Sequence, residues 1–193
     1  MDERLDLEDL VRRAKVGEVS NREVGRVAEV LRGPGGSETY RLLYVLLRVG
    51  AREHEDLAAR YIRYSPDPQV AALALNFLCV HWKLFRRYRS EVVKALNGME
   101  WDSLDELKQA AISATGEYLR SASDQFLLDK IIKLAESYEF DLSGRFAVEA
   151  LARALGEPRA TAVFPRGAEE GREWAQSILQ RANARLRVDP LAG

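Results

Sequence analysis

The chain has 193 residues, 29 Lys and Arg against 30 Asp and Glu, and a formal net charge of −1, which excludes a protein that holds polyanions by bulk charge. Its length suits one domain with a sizeable core, and a single cysteine, Cys79, excludes an intrachain disulfide and fits a reducing compartment. The start, Met1-Asp2-Glu3-Arg4-Leu5-Asp6, has no apolar signal core, and no apolar run approaches the roughly 20 residues that span a bilayer, so a cytoplasmic location with no membrane partner is expected.

In chain order, punctuation divides the sequence into about ten helical segments. Leu5, Leu7, Leu10, Val11 and Ala14 recur at helical spacing until Gly17. Ser20 with Glu23 forms a capping-box pattern, and Val24, Val27, Ala28 and Leu31 share one face behind it. Gly33-Pro34-Gly35-Gly36 must break the chain. Residues 1–32 are therefore expected to form an N-terminal helix pair, packed on or capping a helical domain over 37–188. The segment 40–49 carries Leu42, Leu43, Leu46 and Leu47 and is apolar nearly all round, as a central helix would be. Gly50 stops it. Leu57, Ala58, Tyr61 and Ile62 mark the next helix. In Ser65-Pro66-Asp67-Pro68, Asp67 can cap a helix whose first position suits Pro68, and that helix carries Val70 through Leu78. A helix over 84–96, lined by Val92, Val93 and Leu96, ends at Asn97-Gly98.

Ser103 with Glu106 reads as a second capping box opening 104–119. Ser123 reads as the cap of the segment with Phe126, Leu127, Ile131 and Leu134. Asp141 or Ser143 starts 146–155, which Gly156 and Pro158 terminate. A looser stretch, 157–167, precedes a last helix with Trp174, Ile178, Leu179 and Ala182. Residues 189–193 are expected as a frayed tail. No segment alternates with period two, so the fold class is all-α.

Two segments share one design. Val70-Ala71-Ala72-Leu73-Ala74-Leu75 and Leu107-Lys108-Gln109-Ala110-Ala111-Ile112-Ser113-Ala114 each place small and large apolar residues after an aliphatic one, 37 residues apart counted from 70 to 107. A period near forty signals stacked helix pairs. The pairs would be 40–49 with 53–63, 67–78 with 84–96, 104–119 with 124–137, and 143–155 with 171–187. Asp67-Pro68-Gln69-Val70-Ala71-Ala72-Leu73-Ala74-Leu75 resembles the first-helix signature of HEAT repeats, which opens Asp-Pro, then Val, then an Ala-rich apolar run. The segment from Leu107 is similar, including its late Gly116, and the segment from Arg145 to Gly156 is a weaker match. The resemblance covers roughly residues 38–187 and implies a short right-handed α-α superhelix of HEAT-like hairpins. Ala71, Ala74, Ala110, Ala111 and Ala114 would let neighbouring helices approach closely. The competing reading is an irregular helical bundle whose alanines serve helix propensity alone.

Charge is polarised along the chain. Lys83, Arg86, Arg87, Arg89 and Lys94 face one acid, Glu91, a local balance of five minus one or +4. Between 100 and 141 stand ten acids and four bases, a balance of −6. Lys83, Arg86, Arg87 and Arg89 are the candidate partner-binding residues, against the alternative of a solvated face whose charges balance across neighbouring repeats. Trp82, Phe85 and Tyr88 interleave with them as a hot spot would, but Phe85 and Tyr88 are three apart and core packing is the preferred reading. Cys79 and His81 lack companion ligands, so no metal and no cofactor are expected. Cys79 sits in an apolar run that raises a thiol's pKa, which argues against a nucleophile. Asp102 stands as a helix-entry carboxylate beside Trp101.

No motif demands a reaction, so the expectation is a non-enzymatic protein–protein interaction module: a scaffold, an adaptor or a bacterial immunity-type protein. It would bind another protein on its curved surface. A nucleic-acid-binding HEAT-like protein or DNA glycosylase-like enzyme is the alternative. Net charge −1 and the acid-rich third pair weigh against it. A bilin lyase-type helper is a further alternative, without a tetrapyrrole site marked in the residues.

Overall fold

The computed structural model describes residues 6–158 and 161–188. Leu5 of the first helical pattern and the expected tail at 189–193 lie outside the described residues. Among those described, all regular structure is helical, with ten α-helices: α1 (Leu7–Val16), α2 (Asn21–Arg32), α3 (Thr39–Arg48), α4 (Glu55–Arg60), α5 (Pro68–Asn76), α6 (Arg89–Leu96), α7 (Glu106–Leu119), α8 (Gln125–Ala135), α9 (Leu142–Ala154) and α10 (Ala168–Val188). None is long and apolar enough to cross a membrane. The chain forms two compact units, Met1–Glu91 and Val92–Gly193.

In the first unit, local chemistry sets the helix ends. The Asp6 carboxylate accepts the Asp9 N–H at 3.2 Å, and Gly17 closes α1 in the left-handed conformation, φ 76°. Ser20 and Glu23 form the reciprocal capping box that opens α2. Arg13 reaches across from α1 to the Glu23 carboxylate, 3.1 Å at one guanidinium nitrogen. Arg13 first, then Ser20, hold the Glu23 carboxyl at about 2, below its usual value of 4.5. A depressed folded value contributes stability that is complete above the unfolded pKa and lost as pH falls through the folded one. The stability difference between wild type and Glu23→Gln is therefore expected to shrink as pH falls from about 4.5 to about 2. Urea midpoints across pH 2–6 measure it, and a constant difference contradicts the assignment.

α3 is the central helix of this unit, because α1, α2 and α5 all pack on it. Leu42, Leu43, Val45, Leu46 and Leu47 are buried accordingly. Each such side chain contributes about 1.5–3 kcal/mol on burial. A buried Tyr61 hydroxyl donates to the Leu31 carbonyl at 2.6 Å and ties the end of α2 to the turn after α4. Asp67 caps α5 through the Gln69 N–H at 2.9 Å, and Pro68 takes the first helical position, as the sequence predicts.

The expected helix over 84–96 is shorter, beginning at Arg89. Past Asn76, α5 widens into a π turn over Phe77–His81, with the Trp82 N–H on the Phe77 carbonyl at 2.8 Å. Lys83 then adopts a left-handed conformation, φ 61°, which stops the helix. A non-glycine residue there costs about 1–2 kcal/mol. Burial of Trp82, Phe85 and Tyr88 offsets that cost by wrapping 82–88 into a turn against the core.

In the second unit, α9 is central, packed by α7, α8 and α10, and α10 also packs on α8. The entry to α7 differs from the expected Ser103–Glu106 box. Buried Asp102 accepts the Glu106 and Lys108 N–H groups at 2.8 and 3.1 Å, and helix begins only at Glu106. A carboxylate brings two separate acceptor oxygens and a negative charge where a serine brings one neutral oxygen, and this is the helix-entry role anticipated for Asp102. Asp124, not Ser123, caps α8 through the Leu127 N–H at 3.1 Å, and Asp141 caps α9. Small residues lie at the helix contacts. Ala111, Ala114 and Ala150 are buried, and a Cβ on Gly116 would stand 2.7 Å from the Ala150 carbonyl oxygen of α9.

Candidate functional site

The anticipated basic strip lies in the 82–88 turn and at the start of α6. Lys83, Arg86 and Arg87 are exposed and Arg89 is half-buried. The interleaved aromatics face inward, with Trp82 5 %, Phe85 4 % and Tyr88 7 % exposed, so they belong to the core. The Trp82 ring carries the Arg52 guanidinium at 5.9 Å and donates its indole N–H to the Leu47 carbonyl at 3.3 Å. Arg87 turns toward α4, pairing with Glu55 at 3.0 Å and Asp56 at 3.4 Å. The Tyr88 hydroxyl also donates to Glu55, at 2.6 Å. Burial, then that carboxylate, push the Tyr88 phenol well above its usual value. Arg63 takes the one acid of the strip, Glu91, at 3.0 Å. The acids of α4 thus answer part of the strip's charge, and Lys83 and Arg86 project into solvent.

Cys79 is buried, and burial, with a smaller contribution from Glu91, pushes its thiol up to about 12. Burial thus favours the protonated thiol at neutral pH, whereas the thiolate is the reactive form.

The second unit holds a site that the sequence does not single out. A surface pocket of about 350 Å³ is lined by Tyr138, Phe140, Phe164, Arg145, Arg166 and Arg172, with Glu139 as its acid. It is assembled from four places in the chain: the turn after α8, the first turn of α9, the 161–167 loop and the start of α10. Phe164 organises it. Its N–H donates to the Glu149 carboxylate of α9 at 2.8 Å. Its ring meets Trp174 edge-on at 5.7 Å and Tyr138 at 6.0 Å, and carries the Arg145 guanidinium at 5.4 Å. Gly171 makes room, since a Cβ there would stand 2.7 Å from the Phe164 ring. Arg145 is held further by its Nε–H on the Tyr138 carbonyl at 3.3 Å.

The electrostatics are one-sided. Three guanidinium groups face one lining carboxylate, and Glu139 already accepts the Tyr138 hydroxyl at 3.1 Å. Burial first, then Glu139, raise the Tyr138 phenol above its usual value. Arg145, Arg166 and Arg172 are exposed, and none forms an ion pair with a described carboxylate. The α10 N-terminus is answered by its own first-turn acids, Glu169 and Glu170. Apolar side chains stand in solvent beside the cationic pocket. Phe140, which lines it, is 87 % exposed, Leu142 is 58 % and Val163 56 %. The arginines escape a sequence reading because 27 residues separate Arg145 from Arg172. The one local signal is Phe164-Pro165-Arg166-Gly167, an aromatic and a cation in a Pro/Gly-punctuated loop.

Among the described residues no group of three or more His, Cys, Asp or Glu is placed to hold a metal ion. No protein-family model, curated protein or solved structure matches this chain.

Proposed function

We propose that this chain is a non-enzymatic protein–protein interaction module, a short right-handed α-α superhelix of HEAT-like hairpins. The packing order supports the repeat reading: α1 and α5 flank α3, α7 packs on α9, and α8 on α10, so alternate helices are neighbours within each unit. Stacking of that kind leaves broad helix faces for partners. The observation that carries the interaction role is the pocket surface of the second unit. Arginines without described acidic partners stand there beside exposed Phe140, Leu142 and Val163. Arginine and aromatic residues dominate binding energy at protein interfaces, and a soluble chain gains nothing by leaving them together in water.

The test is affinity capture with wild type, with Arg145→Glu/Arg166→Glu/Arg172→Glu, and with Lys83→Glu/Arg86→Glu/Arg87→Glu/Arg89→Glu. A captured protein is then purified and its binding reconstituted. Loss of that reconstituted binding in either charge-reversed variant, with folding intact by circular dichroism, is the expected result. Identical affinity in both variants overturns the assignment of either basic surface as the docking face. Binding of duplex DNA by the wild type, steeply weakened from low to moderate salt, would favour the nucleic-acid reading.

A further inference from the structure

We infer that the pocket of Arg145, Arg166 and Arg172 receives an acidic segment of the partner, with paired Asp or Glu carboxylates on the guanidinium groups and an apolar side chain beside them on Phe140. This rests on the interaction role proposed above and specifies its chemistry. Charge complementarity chooses the acidic occupant. The lining itself carries three exposed guanidinium groups against one glutamate that is already hydrogen-bonded, with the α10 first-turn acids Glu169 and Glu170 at the rim. Guanidinium forks bind planar carboxylates through two parallel hydrogen bonds. Arg145 is already oriented by Phe164 and the Tyr138 carbonyl, so it loses little freedom on pairing.

The surroundings choose a polypeptide over a small anion. At about 350 Å³ the pocket is at the lower end of ligand sites and fits one or two side chains. Leu142, the first residue of α9, and Val163, next to Phe164 in the chain, are exposed apolar side chains near the lining residues in sequence. A free oxyanion leaves those side chains in water, whereas a peptide chain covers them. An acid–apolar–acid segment uses both features together.

The test is fluorescence anisotropy on the full chain with a labelled ten-residue peptide centred on Glu-Glu-Phe-Glu-Leu. The comparison probes are its Gln-Gln-Phe-Gln-Leu counterpart and inorganic phosphate as competitor. Affinity for the acidic peptide is expected to fall at least tenfold for the glutamine peptide. It should fall as far for Arg145→Gln/Arg172→Gln, whose positions are exposed, so the fold survives. Phe140→Ser should weaken the acidic peptide without affecting phosphate competition. Equal affinity for the two peptides, or no binding of either, overturns the acidic-segment proposal. Arginine-dependent phosphate binding without peptide binding also overturns it, in favour of a small-anion site. These failures leave the interaction role standing if the reconstituted partner still loses affinity for either charge-reversed variant, and both readings fall if neither variant loses it.

Discussion

Gly116→Ala is expected to destabilise the second unit by about 2 kcal/mol, whereas Gly25→Ala is expected to stabilise the first by about 1 kcal/mol. Both glycines lie inside helices, and alanine improves intrinsic helix propensity by about 1 kcal/mol at either. Their surroundings decide the sign. A Cβ on Gly25 meets nothing within 4 Å, so only the propensity gain remains. A Cβ on Gly116 meets the Ala150 carbonyl oxygen at 2.7 Å and the Ala150 Cα and Cβ at 2.8 Å. Backbone cannot swing aside like a flexible side chain, so α7 and α9 must separate. Overpacking of this kind costs about 1–3 kcal/mol and occasionally more, and the upper end applies where the obstacle is main chain. Thermal melts check both, at about 2–4 °C per kcal/mol for a chain of this size. A Gly116→Ala protein at least as stable as wild type would show that the close α7–α9 approach is absent.

Arg185→Met is expected to cost about 2–4 kcal/mol, with Arg185→Lys recovering only part of it. The Arg185 guanidinium, on α10, donates to the Ala154 carbonyl at 2.6 Å, the Leu119 carbonyl at 3.0 Å and the Ala122 carbonyl at 3.3 Å. Leu119 and Ala154 are the last residues of α7 and α9, where carbonyls lack helical partners and the helix dipole is negative. One cation thus closes two helix ends. Hydrogen bonds from a charged donor contribute about 1.5–3 kcal/mol each and do not add fully when one group makes them all. Methionine keeps the apolar stem and removes the donors, and a lysine ammonium cannot present the planar fork. Urea unfolding monitored by far-UV circular dichroism measures the loss. A difference under about 0.5 kcal/mol would place Arg185 among ordinary surface positions.

The pocket arginines bear on the same measurements. Arg166 and Arg172 are exposed and make no such contact, so their neutralisation should leave the melt unchanged while weakening binding, whereas Arg145 also holds the Tyr138 carbonyl and the Phe164 ring. That separation, stability at Arg185 and binding at the pocket, would distinguish two proposed roles for arginine within one unit.

Much of the architecture follows from the sequence alone, because the signals are local. Ser20 with Glu23, Asp67 before Pro68, and the left-handed glycines Gly17, Gly50, Gly98 and Gly156 set helix boundaries through neighbours within a few residues. The inward aromatics at 82, 85 and 88 are legible by their spacing, and so is the helix-entry carboxylate Asp102. Tertiary contacts decide the rest. Whether residues 82–88 form helix or turn depends on how Trp82, Phe85 and Tyr88 reach the core, a balance that outweighs propensity at Lys83. Gly116 resembles a repeat-motif glycine in sequence, but its cost of substitution comes from Ala150, 34 positions away. The cationic pocket exists only because Glu149 and Gly171 seat Phe164 where residues from 138 to 172 converge. Local hydrogen bonding and periodicity write the helices into the chain, whereas side chains distant in sequence meet only when those helices pack.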